Sequence, residues 1–504
     1  MEAKVPETTE ETLDPGDWDG LQSLAHQVVD DAIAHVRNVR DRPVWRDMPA
    51  EVRDAFTASA PSHPQPLADV YHELHELLMP YPMGNIHPRF WMWYMGAGSV
   101  TGALAEFLAA IDGSNLGGGN NAAALMDRQV VDWLRQMTGF PDSAGGTLVS
   151  GGSMANIIGL TAARNAMAGI DVRSEGVAAM PQPLRFYGSD QLHSCHQKAV
   201  ELLGLGNKAL RRVPTGPDFR MDVSALEDMI AEDRNAGFRP ACVIATAGTV
   251  NTGAIDDLPG INALCRKEGL WFHVDGCIGA LIAIAPENRH LVSGLEMADS
   301  IALDPHKWLH VPFEAGCALV RDATTHRNTF AVHPEYLEGK PRGIAACEYL
   351  HDYNLQTSRA FRALKIWLTL KEHGIDKFGR LINQNIAQAR YLSGLIERTP
   401  DLQLVAPTAI NIVCFRHDPG ARPEAELCDL NTEIMLRMQE TGVAAVSDTS
   451  VAGHHCLRVA ICNHRTRRED LDLLVQEVSR IGGVLVRGES AGAGNAIDPS
   501  AAEK

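Results

Sequence analysis

At 504 residues the chain is longer than one compact core organises, so two or more domains are expected. With 45% apolar and 21% charged residues it is an ordinary globular composition, and a formal net charge of −18 argues against a nucleic-acid or anionic-membrane surface. Ten cysteines without a CxxC pair fit a reducing cytoplasm better than a disulfide framework, and no apolar run reaches membrane-spanning length.

The first 18 residues are polar and acidic, lack the apolar stretch of a signal peptide, and are expected to be mobile. Helical periodicity over residues 21–39 and 67–78, with a Pro-rich link between, predicts an N-terminal helical arm spanning residues 1–90. Such an arm cannot bury its apolar stripe alone and must pack on the body or on a second copy of the chain. The run His87-Pro88-Arg89-Phe90-Trp91-Met92-Trp93-Tyr94-Met95-Gly96 supports two readings, core packing or a pocket wall to which Trp93 and Tyr94 contribute. A glycine-rich loop at 113–121 and a helix at 126–137 follow.

From Thr147 the rhythm is strand, turn, helix. Strands are expected near 147 and at 185–188, 241–245, 271–275 and 300–303, with helices from Ser153 to about 168 and at 193–203 and 258–268. Strands alternating with helices imply a mostly parallel sheet with right-handed crossovers. A long helix after Glu348 carries Arg359, Phe361, Leu364, Trp367 and Leu370, and Gly374 ends it. Beyond residue 376 the pattern changes to strands at 410–415 and 456–461 with helices at 424–440 and 470–481. The chain therefore reads as α/β: a large domain over 91–375, a smaller C-terminal α+β domain over 376–488, and a disordered tail over 489–504.

The chemistry centres on Lys307. It follows the apolar run Ile301-Ala302-Leu303 and the polar turn Asp304-Pro305-His306, and precedes another apolar run at 317–320, which reads as strand, turn, strand. An amine held where a strand leaves a sheet suits Schiff-base chemistry with pyridoxal 5'-phosphate (PLP). That cofactor also needs an anion site, and Ser150-Gly151-Gly152-Ser153 at a helix start offers one, although Ser153 is equally a plain N-cap. It needs a carboxylate for the ring nitrogen. Asp275 ends a strand 32 residues before Lys307, where ligands of parallel sheets bind, although a strand-end Asp is often a loop or capping group. His193 can stack on the ring or cap its own helix; Thr246 and Thr249 can contact the cofactor or serve as turn residues.

On these residues the sequence resembles the group II PLP-dependent amino-acid decarboxylases, the family of the aromatic L-amino-acid and histidine decarboxylases. DPHKWL resembles the family's lysine motif, HVDGCIGA its HVDAAYGG, TAGTVNTGAID its TxGTTxxGAxD, and VSGGSMANIIGLTAARN its phosphate motif and helix. The resemblance covers roughly residues 70–480 and implies a fold-type I PLP scaffold, a homodimer with its active site at the interface, and cytoplasmic decarboxylation of a small-molecule L-amino acid, an aromatic one favoured. It implies that Lys307 carries the cofactor, Asp275 pairs the ring nitrogen, His193 stacks, Gly152 and Ser153 hold phosphate, and Thr246, Asp304 and His306 complete the contacts. Tyr336 matches the mobile-loop tyrosine that returns a proton to the substrate, which favours simple decarboxylation over aldehyde formation. Ser358 stands where the family uses glycine for indole or catechol substrates and serine in histidine and some tyrosine decarboxylases. Gly276, Cys277, Ile278, Met154 and Val250 depart from the family's usual residues and can reshape the pocket. Histidine or acidic-amino-acid decarboxylation, another fold-type I reaction, and a degenerate dimeric scaffold are the alternatives.

Two further patterns lead elsewhere. Gly204-Leu205-Gly206-Asn207-Lys208-Ala209 matches a dinucleotide loop but follows a helix, and His454, His455, Cys456, Cys462 and His464 match no common metal spacing, so no metal is expected.

Overall fold

The computed structural model describes residues 11–332, 334–335, 339–420 and 422–488; Tyr336, the tail over 489–504 expected to be disordered, and residues 1–10 of the 18 expected to be mobile lie outside them. The chain divides into two units, residues 1–42 with 46–82, and residues 43–45 with 83–504.

The first unit carries helices Trp18–Arg37, Ala50–Ala55 and Leu67–Leu77. Asp17 caps the first by accepting the Gly20 N–H at 2.9 Å, and Tyr71 Oη donates to Asp31 Oδ2 at 2.8 Å, tying the third helix to the first. No residue of Trp18–Arg37 is fully buried, and Trp18, Leu67, Leu74 and Leu78 stay exposed, so this unit leaves its apolar stripe uncovered.

The second unit is built on a seven-stranded sheet of order β1-β7-β6-β5-β4-β2-β3. The strands are β1 (Gly145–Val149), β2 (Leu184–Ser189), β3 (Leu210–Val213), β4 (Arg239–Thr246), β5 (Trp271–Asp275), β6 (Ser300–Leu303) and β7 (Gly316–Val320). β6, β5, β4, β2 and β3 run parallel, while β7 is antiparallel to both β6 and β1. The sheet is mostly parallel, as expected for the fold-type I scaffold. Every residue of β6 and β7 is buried, which explains their unbroken apolar runs. β3 escaped the sequence reading because Arg211 and Arg212 interrupt its pattern. Helix Gly152–Met167 packs across β7, β6, β5 and β4 and aims its N-terminus at their ends.

A second, antiparallel sheet has the order β10-β11-β9-β8, from β8 (Leu402–Leu404), β9 (Ile412–His417), β10 (Ser447–Val451) and β11 (His454–Ala460). Helices Ile375–Glu397, Glu424–Glu440 and Arg468–Arg487 pack on it around their own apolar core. Trp91, completely buried, belongs to that core: its N–H donates to Ala445 O at 2.7 Å and its carbonyl accepts from Ala460 N at 3.1 Å.

Two local expectations are corrected. Lys307 does not sit in an open turn between strands but on one helical turn, Pro305–Trp308, because Pro305 presets helical φ at the first position. The long helix after Glu348 is Ala363–His373 alone, with Gly374 as its cap. Arg359 and Phe361 precede it, since the buried Arg359 guanidinium needs partners and finds Leu116 O at 2.8 Å, Leu148 O at 2.9 Å and the Asp127 carboxylate at 3.4 Å.

Candidate active site

The ends of β4, β5 and β6 and the N-terminus of Gly152–Met167 surround a cavity of about 910 Å³. Lys307 reaches it from the helical turn after β6. Its Nζ lies 2.9 Å from Asp304 Oδ2, three residues earlier, and 5.5 Å from the centre of the Tyr94 ring. Burial pushes the ammonium pKa down, but the Asp304 carboxylate foremost, with Cys277 and Asp275, overcomes this and raises it. His306, beside it, is buried and donates Nδ1–H to Ala315 O at 2.7 Å.

Ser150, Gly151, Gly152 and Ser153 line one side of the cavity. A side chain on Gly152 would collide with Cys277 Sγ and stand 2.8 Å from Asp304 Oδ2, so only glycine lets the helix start this close. Thr246 ends β4. Its N–H donates to Asp256 Oδ2 at 2.8 Å, while its buried Oγ1 has no hydrogen-bond partner among the described residues. Thr249 takes the turn role instead: its Oγ1 lies 3.0 Å from Thr252 Oγ1 and accepts from Ala254 N at 3.1 Å.

Asp275, at the end of β5, is buried. Its Oδ1 accepts from Cys277 N at 3.1 Å and its Oδ2 from His196 Nε2 at 2.8 Å. Burial alone would raise this carboxyl's pKa; the His196 hydrogen bond and charge hold it well below the usual range. His193 is exposed to the cavity and its Nδ1 accepts from Cys195 N at 3.2 Å, so it caps locally and also faces the pocket.

Two residues of this wall, Cys195 and Arg458, and His196 behind it escaped the sequence reading. His196 is completely buried and lies three positions after His193, a helical spacing that could have linked the two. Cys195, beside it, has its thiol drawn down to about 7: burial opposes this, and the hydrogen bonds from His193 and His196 outweigh it. Arg458, in the apolar run of β11, is buried; it donates to Val250 O at 2.8 Å and Trp93 O at 2.6 Å, and its Nη2 has no hydrogen-bond partner among the described residues. A cation inside an apolar strand was the available signal.

The aromatic run serves both proposed purposes. Trp91 is core, whereas Trp93, with φ of 51°, and the buried Tyr94 line the cavity. Tyr94 Oη accepts from Asn411 Nδ2 at 2.7 Å. Ser358 is exposed and does not line the cavity, and Tyr336 is outside the described residues. The C-terminal histidines and cysteines do not assemble. Cys195, His196 and Asp275 form the one group of metal-ligand type among the described residues, with atoms within 4.8 Å, and the imidazole and carboxylate already bond each other.

The arrangement fits PLP. A lysine and a buried anionic carboxylate face one cavity, a helix N-terminus offers close backbone N–H groups, and Thr246 Oγ1 and Asp304 Oδ1 are buried without hydrogen-bond partners among the described residues.

Fold and site together define a PLP enzyme of fold type I. The pyridoxal-dependent decarboxylase conserved domain matches residues 49–418, and the chain belongs to this family as a carboxy-lyase. An aromatic-L-amino-acid decarboxylase of Bacillus atrophaeus is 32% identical over 470 residues, covering 92% of this chain and 95% of that protein. Tryptophan decarboxylase 1 of Oryza sativa subsp. japonica is 30% identical over 475 residues, covering 90% and 91%. The crystal structure of Oryza sativa TDC with PLP and tryptamine superposes with a TM-score of 0.86 at 27% identity, covering 94% of this chain and all of that one. No helix among the described residues is long and apolar enough to cross a membrane.

Proposed function

We propose that this decarboxylase converts an aromatic L-amino acid to its amine and CO2. The observation that carries the reading is the cavity with Lys307 and Asp275 facing it and Trp93 and Tyr94 in its wall. Bound there, PLP supplies the sink for the electron pair left when CO2 departs. Lys307 would anchor the cofactor, Asp275 would balance the charge of its ring nitrogen, and His193 would pack beside its ring. Gly152 and Ser153 take the phosphate, with Thr246, Asp304 and His306 completing the contacts. Tyr336 delivers the proton that replaces the carboxylate on the substrate carbon.

The protein acts as a cytoplasmic homodimer in this reading. Ten free cysteines support the compartment. Helix Val100–Asp112 supports the dimer: Leu104, Phe107, Leu108 and Ile111 follow i, i+3, i+4, i+7 spacing and are all exposed. A site completed by the second subunit also accounts for Ser358 standing outside the cavity of one chain.

An acidic substrate is the second reading, favoured by Arg458, whose unpartnered Nη2 gives the pocket a fixed cation. The test is CO2 release from PLP-loaded protein offered each L-amino acid and DOPA separately, with the amine identified by mass. Release from tyrosine, DOPA, phenylalanine or tryptophan supports the proposal; release from glutamate, aspartate or histidine alone overturns its substrate. Tyr336→Phe is expected to keep the cofactor and lose most amine production, and an unchanged rate and product would remove Tyr336 from the mechanism.

A further inference from the structure

We propose that His196 is a positioning residue that holds the Asp275 carboxylate in one orientation and in its anionic form for the ring nitrogen of the cofactor. This rests on the reading that PLP binds with that nitrogen at Asp275.

The geometry begins with the helix Cys195–Leu202. His193 precedes the helix and faces the cavity, whereas His196, in its first turn, is completely buried. His196 Nε2 meets Asp275 Oδ2 at 2.8 Å, and Cys277 N meets Oδ1 at 3.1 Å. A carboxylate offers about four lone-pair sites. Two are used by the protein, one on each oxygen, which fixes the plane of the group and leaves capacity toward the cavity.

The charge argument runs the same way. A lone carboxylate buried this deeply favours its protonated form. A protonated acid cannot balance a proton on the ring nitrogen. His196 reverses this preference, and it does so at a helix N-terminus, where a cation is disfavoured; the Asp275 pair must therefore outweigh the dipole. Cys195, within 4.8 Å of both, adds anionic character next to the imidazole.

The groups packed around the pair support one charge assignment. Trp271 Nε1–H donates to Ser300 Oγ at 2.8 Å, and Ser300 Oγ lies 2.7 Å from His273 Nδ1. His273 Nε2–H donates to Asn156 Oδ1 at 2.8 Å, and Asn156 Nδ2 points to both Cys195 Sγ and Cys277 Sγ at 3.7 Å. Both nitrogens of His273, whose ring centre lies 6.4 Å from that of His196, are satisfied, and burial foremost, with the charge on His196, holds its pKa down to about 3, so it is neutral and the Ser300 hydroxyl donates to its Nδ1. Burial pushes the His196 pKa down, but the Asp275 hydrogen bond and charge, with Cys195, raise it to about 10, so His196 carries the proton; its Nδ1 has no hydrogen-bond partner among the described residues. Lys307, Cys277 and His193 are the other titratable groups that act on Asp275.

Two variants separate the parts of this role. His196→Gln keeps an N–H donor without the charge, and His196→Leu removes both. Cofactor-free wild type and variants are titrated with PLP across a range of pH, following cofactor absorbance, with thermal unfolding of the cofactor-free proteins recorded alongside. His196→Leu is expected to weaken PLP binding by about 10- to 100-fold. The loss should deepen toward acid pH, because the raised pKa of an unassisted Asp275 lets it take a proton there. His196→Gln is expected to recover part of the affinity and to keep the acid-side loss. Binding curves for both variants that match wild type at every pH overturn the proposal. So does a loss independent of pH that accompanies lowered unfolding temperatures, which marks a structural role. If His196→Leu does not fold, His196→Gln decides: acid-side loss supports the proposal and a wild-type curve overturns it. Wild-type affinity in Asp275→Asn would instead overturn the placement of the ring nitrogen, a failure distinct from that of His196.

Discussion

The two ends of the cavity are built differently. At the Asp275 end the polar groups answer one another: carboxylate to His196 and Cys277, His273 to Ser300 and Asn156, Ser300 to Trp271. At the Lys307 end, Asp304 Oδ1 is buried without a hydrogen-bond partner among the described residues and Ser153 is exposed; beside Asp275 only Thr246 Oγ1, on the neighbouring strand, and His196 Nδ1 lack one. Buried polar groups are normally satisfied, and exceptions mark places completed by a ligand. One end is thus mostly finished by folding, and the other is left to the cofactor.

The largest effect should come where the two ends meet through the cofactor. Lys307→Ala is expected to abolish CO2 release while PLP still binds without a covalent bond, visible as a changed absorbance; full activity in that variant would end the assignment. Asp275→Asn removes the charge of the finished end while keeping its shape. A loss of about 10²- to 10³-fold in kcat is expected, with KM little changed, because the lost interaction grows as charge develops on the ring. Gly152→Ala addresses the other end. Its Cβ would crowd Asp304 Oδ2 and Cys277 Sγ, so PLP affinity should fall by more than kcat of the loaded enzyme; affinity equal to wild type would show that the helix start can shift without harm. The mildest probe is alkylation of the cofactor-free protein by iodoacetamide. Cys195, with its thiol near 7, should label ahead of Cys277, which burial holds above the usual thiol range, and its rate should rise as pH passes through neutrality. Added PLP should slow it. Peptide mass spectrometry reads both outcomes.

What the sequence made legible was whatever is local. Lys307 with Asp304, Gly152 with Ser153, and Asp275 at its strand end each sit in a short motif whose residues act together. The central parallel strands β4, β5 and β6 announced themselves because burial on both faces leaves an apolar run, unlike the edge strand β3. His196, Cys195 and Arg458 acquire meaning from residues on other elements, Asp275 on β5 and Trp93 far upstream, and no spacing in the chain encodes those pairings. The failed long helix has the same origin. Phe361, Leu364, Trp367 and Leu370 show a helical period, but Arg359 bonds the carbonyls of Leu116 and Leu148, and this long-range demand ends the helix at Ala363.

The thread of chain around Trp91 has a consequence for biogenesis. Its anchors, Ala445 and Ala460, come more than 350 residues later, and Arg458, which bonds Trp93 O, belongs to the same late stretch. During synthesis the seven-stranded sheet emerges whole before any of them. A nascent chain can thus present Lys307 and Asp275 while the Trp93–Tyr94 wall is still untethered. Capture of substrate waits on residues 445–460, and a chain stopped before them carries the reactive amine without the wall that selects what meets it.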